Sequence, residues 1–150
     1  VLDNDTQQKG AYLWAALRLP DGKDHVKLTA SDDPDNPQET AFIAENMIQP
    51  IVIDNSRPNI KSLDAAAGTE GKYVISGAAR DDYSNVVKVQ YTIDGQEWTS
   101  AYPVDGVFDS LEEPFQITTR PLVPGNYTLI VNAFDSEGNI GIEKVLIEVK

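Results

Sequence analysis

The stretch Leu122–Asn139, LVPGNYTLIVNAFDSEGN, decides how this chain is read. Behind Leu122 and Pro124, the residues Tyr127, Leu129, Val131 and Ala133 fall on every second position, with Thr128 and Asn132 among the alternates. That period of two predicts a strand with one face buried. The stretch recurs upstream as LPDGKDHVKLTASDDPDN, residues 19–36, without a gap. Leu19 aligns with Leu122, Gly22 with Gly125, Val26 with Leu129, Leu28 with Val131, Ala30 with Ala133, Asp32 with Asp135 and Asn36 with Asn139. A repeat of this length is the size of a small β-domain and far too long for a solenoid unit. Carried backward, the alignment sets Tyr12 on Phe115 and Trp14 on Ile117, and Val1 on Val104, in the middle of a copy. Asp24 stands where the second copy has Tyr127.

The remaining segments fit two unequal copies. In the first, the alternation Tyr12, Trp14, Ala16 predicts a strand over 11–17, Pro20-Asp21-Gly22 a turn, and His25–Ala30 the returning strand with Val26, Leu28 and Ala30 inward. Ser31–Asn46, rich in Asp, Asn and Pro, reads as a loop, and Ile48–Ile53 as a strand. Asp54–Pro58 is a linker whose proline stops strand pairing. In the second copy, strands are predicted at Asn59–Ala65, Lys72–Ala79, Val87–Ile93, from Phe115, from Tyr127 and at Val145–Val149. Asp94-Gly95 is the strongest hairpin signal in the chain. A two-residue turn there pairs Tyr91 with Trp98 and puts both on the core face. Domain limits of 1–54 for an incomplete copy and 55–150 for a complete one follow.

Composition narrows the function classes. Of 150 residues, 41% are hydrophobic, enough for a packed core. The 24 acidic residues against 12 basic ones give a net charge of −12, which repels nucleic acid and anionic lipid and favours cations and basic partners. With no cysteine, disulfides, thiolate metal sites and cysteine nucleophiles are excluded. No apolar run approaches the length of a membrane span, so membrane insertion is not expected. The lack of an initiator Met or leader fits a piece of a longer exported chain.

The spacing L-x-P-x-x-Y-x-L-x-V-x-A at 122–133 resembles the tyrosine corner of fibronectin type III and immunoglobulin-like sandwiches. Together with Y-T-I-D-G-Q-E-W at 91–98, D-G-V-F-D-S at 105–110, A-F-D-S-E-G-N at 133–139 and D-N-S-R-P at 54–58, it is similar to the fibronectin type III-like modules of bacterial secreted multidomain proteins, often arranged in tandem or beside β-propellers. The resemblance implies an all-β, antiparallel immunoglobulin-like sandwich, one complete copy preceded by the back half of another. It further implies a non-catalytic spacer, docking or adhesion module, secreted, cell-surface or periplasmic, whose partners are proteins or neighbouring domains. It carries over no functional residue.

In such a sandwich the linker, the loop after Ala79 and the loop after Ala133 share one pole. That pole gathers Asp54, Asn55, Asp81, Asp82, Asp135 and Asn139 as candidate metal ligands, with Asp21 and Asp24 of the first copy nearby. Hard oxygen ligands suit Ca²⁺ as the cofactor, in a joint resembling the calcium-rigidified joints of cadherins. The same residues are equally explained as Asx-turn formers, and no D-x-[DN]-x-[DN]-G loop is present. A glycan partner would need aromatics on an exposed sheet face, for which Tyr83 and Phe134 are candidates. Catalysis is not expected: the only histidine, His25, has no nucleophile signature near it. Uncovered, the apolar side chains of 11–53 would form an interaction patch.

Overall fold

A computed structural model of the chain describes residues 15–33, 35–36 and 40–150, and it is all-β. A short 3₁₀ turn, Ala16–Arg18, leads into four strands, β1 (Gly22–Asp24), β2 (Lys27–Ser31), β3 (Ile43–Met47) and β4 (Ile51–Ile53). Eight more follow: β5 (Asn59–Ala67), β6 (Tyr73–Arg80), β7 (Val86–Ile93), β8 (Thr99–Ser100), β9 (Tyr102–Pro103), β10 (Glu112–Thr118), β11 (Gly125–Asp135) and β12 (Ile140–Val149).

The last eight strands make two four-stranded antiparallel sheets, in the orders β5-β6-β10-β9 and β12-β11-β7-β8. The chain crosses between them at Ala101, so β8 and β9 lie in different sheets. Both sheets contribute to one core. Ile75, Ala79, Phe115 and Ile117 enter from one side and Val89, Leu129, Val131, Ala133 and Ile147 from the other. These are the positions the period of two assigned inward. Burying a side chain such as Phe115 is worth about 2–3 kcal/mol, which is why alternation in β10 and β11 is strict. The tyrosine bond expected at the start of β11 is present, Tyr127 Oη donating to the Val123 carbonyl at 3.0 Å.

Two bulges re-aim side chains. Between Lys61 and Asp64 the β5–β6 register shifts, Ser62 takes φ 56° and Leu63 turns against the core. Between Phe134 and Asp135 the β11–β7 register shifts, so that Val86 rather than the expected Val87 is buried. An extra residue flips every side chain beyond it to the other face.

The Asp94-Gly95 turn forms as expected, with φ positive at both residues (52° and 72°). Trp98 does not follow into the core. The register beyond the turn is Tyr91 with Thr99 and Gln90 with Ser100, one residue off the two-residue-hairpin pairing. Trp98 therefore stands on the outward face, 46% exposed.

The first four strands form a long two-stranded ribbon, β1 pairing β4 and β2 pairing β3. Gly22 opens it opposite Ile53, as Gly125 opens β11 opposite Val149. Several expectations need correction: Leu28 and Ala30, expected inward, are exposed, and of Ile48–Ile53 only Ile51–Ile53 is strand. Ile43–Asn46, within the segment read as loop, belongs to strand β3, because pairing with β2 satisfies its backbone although none of its side chains is buried. Ala16 lies in the 3₁₀ turn and not in a strand; Tyr12 and Trp14 lie outside the described residues.

Candidate functional site

Asp54 follows β4, Asp81 follows β6 and Asp135 ends β11. The packing of the two sheets brings the ends of β6 and β11 to one pole and the linker after β4 reaches it, so that one oxygen from each carboxylate lies within 4.8 Å of the others. Each aspartate makes the same local turn. Oδ1 of Asp54 accepts the Ser56 N–H at 3.0 Å, Oδ1 of Asp81 the Tyr83 N–H at 2.9 Å, and Oδ1 of Asp135 the Glu137 N–H at 2.9 Å. An Asx turn satisfies backbone that the ending strand leaves unpaired, which explains why aspartate stands at three equivalent places.

The second oxygens have a different fate. Asp135 Oδ2 accepts from Asn139 Nδ2 at 2.9 Å, and the same amide donates to the Asp54 carbonyl at 3.2 Å, tying the linker to the pole. Asp54 Oδ2 and Asp81 Oδ2 are buried with no hydrogen-bond partner, and so is the hydroxyl of Ser84. Asp81 and Asp135 are each only 3% exposed. Among the described residues, none of the ion pairs reaches this trio, and the nearby Arg80 is occupied with Asp82 and Glu112.

The electrostatics reflect that crowding. Burial pushes the Asp81 carboxyl up, and the charges of Asp54 and Asp135 push it further, against the pull of the Tyr83 and Ser84 N–H groups. Asp54 is also raised by burial, but the facing Ser84 hydroxyl and the hydrogen bonds from Ser56 outweigh this and leave it below the ordinary carboxyl value. The Ser84 hydroxyl thus acts on Asp54 as a hydrogen-bonding group, although the contact falls outside strict hydrogen-bond geometry. A cleft of about 210 Å³, lined by Ser56, Arg57, Asn59, Lys61, Arg80, Asp81 and Asp82, lies beside the cluster and touches it at Asp81.

Of the six candidate ligands, the structure brings Asp54, Asp81 and Asp135 together and sets Asn139 as their hydrogen-bonding support. Asp82 points to solvent and pairs with Arg80 at 3.2 Å. Asn55 is spent on the first copy: its N–H donates to Asp21 Oδ1 at 2.7 Å and its side-chain amide to the Leu19 carbonyl at 3.2 Å. Ser84 went unnoticed because a single serine in a polar loop has no sequence signature. Asp32 and Asn36 make the same bond as Asp135 and Asn139, Nδ2 to Oδ2 at 2.7 Å.

Tyr83 is 44% exposed in the loop after β6. Phe134 is half-buried on the outward face of β11, with Lys88 Nζ 4.9 Å from its ring centroid. His25 sits exposed between β1 and β2. Among the described residues no helix is long and apolar enough to cross a membrane.

No family model matches the chain, and no curated protein matches it in sequence. Among solved structures, part of the chain is similar to the sulfane dehydrogenase SoxCD from Paracoccus pantotrophus, at 19% identity over 53% of this chain with a TM-score of 0.44. The chain spans 25% of the length of that one.

Proposed function

We propose that the chain is a non-catalytic module of the immunoglobulin-like, fibronectin type III-like kind that docks neighbouring protein surfaces within a larger secreted or cell-surface bacterial protein. The sheet orders and the Tyr127–Val123 bond support that fold, since such sandwiches pair their strands in these two groups and carry a tyrosine at this corner. The fold by itself fixes no role. One observation carries the docking reading: on the outward face of the β12-β11-β7-β8 sheet, the edge strand β12 presents exposed branched aliphatics.

Ile142 is 64% exposed and Leu146 76%, with Ile140 beside them, Ile130 half-buried on the adjoining strand and Trp98 at the far side. Polar residues stand among them, Lys144 on β12 and Thr128 and Asn132 on β11, but a group of aliphatics this exposed on one strand is a feature of interaction sites. The side chains on β12 are branched aliphatics, so they match an apolar protein surface better than a sugar ring, which stacks on flat aromatics. The ribbon adds a second uncovered surface: both faces of β2 and β3 are exposed, and a two-stranded ribbon is marginal on its own.

Hydroxyl-radical footprinting tests this. Ile142 and Leu146 should label strongly in the purified chain and weakly in the protein as it stands in the cells that make it. Equal labelling in both settings removes the docking reading and leaves a spacer.

A further inference from the structure

We propose that Asp54, Asp81, Asp135 and the Ser84 hydroxyl hold one Ca²⁺ ion that fastens the linker after β4 to the pole of the two-sheet body. The inference stands apart from the docking face and goes beyond it.

The Asx turns and a metal site compete in the sequence, but in the structure they use different atoms. Oδ1 of each aspartate serves its turn, while Oδ2 of Asp54 and Asp81 is left buried and unpaired. A buried acceptor without a donor costs about 1–3 kcal/mol, and more when charged. Native folds rarely leave several together.

Ser84 is the independent sign. It carries no charge, is 6% exposed, lies close enough to Asp54 to lower its pKa, and its hydroxyl makes no contact that meets hydrogen-bond geometry. A hydroxyl among carboxylates would ordinarily donate to one of them; an oxygen lone pair turned toward a cation needs no such bond.

The donor set selects the ion. All four donors are hard oxygens, which excludes metals that prefer nitrogen or sulfur. Four irregularly placed oxygens with room for water suit Ca²⁺, which accepts six to eight ligands in flexible geometry, whereas Mg²⁺ demands a near-ideal octahedron. Three carboxylates against one divalent ion leave a residual charge near −1 in place of −3, so most of the repulsion at the pole is removed.

The ligands come from three places far apart in sequence: the linker, the β6–β7 loop and the end of β11. An ion shared by them would therefore act as a clamp on the linker, supplementing the Asn139 bond to the Asp54 carbonyl. Affinity of the extracellular class, with Kd of about 10⁻⁴ to 10⁻³ M, is expected from four protein ligands.

The test is calcium titration calorimetry and thermal unfolding of EDTA-dialysed protein near neutral pH, with ~10 mM CaCl₂, ~10 mM MgCl₂ or NaCl of matched ionic strength. One ion should bind per chain. If Kd is about 1 mM, calcium should favour the folded state about 11-fold, raising the midpoint by roughly 3–6 °C. Asp81→Asn keeps the oxygen that accepts from Tyr83 and Ser84 but removes the charge. It should abolish the calcium response and, in EDTA, unfold no lower than the parent. Asp82→Asn, one residue away but facing solvent, should respond as the parent does. Asp135→Asn provides the same test should Asp81→Asn fail to fold. The proposal is overturned by midpoints that do not respond to calcium, which would mean a proton shared between Asp81 and Asp54 fills the role. It is overturned equally by an Asp82→Asn variant that loses as much as Asp81→Asn, since the effect would then be general charge screening.

Discussion

At the scale of single residues, one glycine shows how closely the pole is built. Gly141, the second residue of β12, is fully buried, and a Cβ placed on it would run into the carbonyl oxygen of Pro58 and lie 2.8 Å from its carbon. Backbone cannot swing aside as the end of a long side chain can, so the whole segment from Pro58 into β5 would have to move. Overpacking of this kind costs about 1–3 kcal/mol. Gly141→Ala should sit at the upper end of that range, lowering the urea midpoint with little change in its slope. An unchanged midpoint would show that the linker shifts freely. A lone glycine in a strand pattern is a recognised sign of close backbone approach, but the last strand is expected from the sequence only from Val145, so neither Gly141 nor its partner Pro58 stands out there. Ser84 had no such sign. Asp81 and Asp82 looked identical in sequence, and only the direction of the chain leaving β6 sends one into the cluster and the other to Arg80.

At the scale of elements, legibility followed burial. Strands β6, β10 and β11 were read correctly because a buried face forces a period of two, and Ile75, Phe115, Ile117, Leu129 and Val131 are all at 1% exposure or below. Strand β3 was missed because nothing covers it, so its sequence IAENM records no alternation. The hairpin after Ile93 shows a subtler failure. Its turn residues were right and its register was wrong by one, enough to move Trp98 from the core to the surface. Turn chemistry fixes where a chain reverses, whereas register also depends on irregularity in the short strand that follows, here only Thr99–Ser100. A direct consequence can be measured. Trp98→Ser should cost less than about 1 kcal/mol beyond its partial burial, while Phe115→Ala should cost about 3–5 kcal/mol. Comparable losses in urea unfolding would restore the core-facing register.

At the scale of the whole molecule, charge and burial act together in their dependence on pH. The chain carries a net charge of −12, and self-repulsion of that size weakens a compact state. Within it, Asp81 has a folded-state pKa above the ordinary value of 3.8, while Asp54 has one below it. A carboxyl raised in the folded state takes up its proton there before the unfolded chain does. Stability therefore grows as pH falls through the raised value, and the gain is complete at 3.8. Asp54 acts in the opposite sense: its contribution is full above 3.8 and is lost as pH falls toward its depressed folded-state value. Metal-free protein should thus unfold at a higher temperature as pH is lowered from neutral toward 3.8, and at a lower one beyond it. Salt separates the two sources of the rise. Surface repulsion is screened at about 0.5 M NaCl, where the Debye length is only a few Å, but a buried trio is screened far less. The part of the rise that survives high salt should vanish in Asp81→Asn, and calcium should reverse its sign, because protons then compete with the ion for the same oxygens. A profile that flattens wholly in salt would assign the pH response to the surface, and the pole would then have no titration of its own.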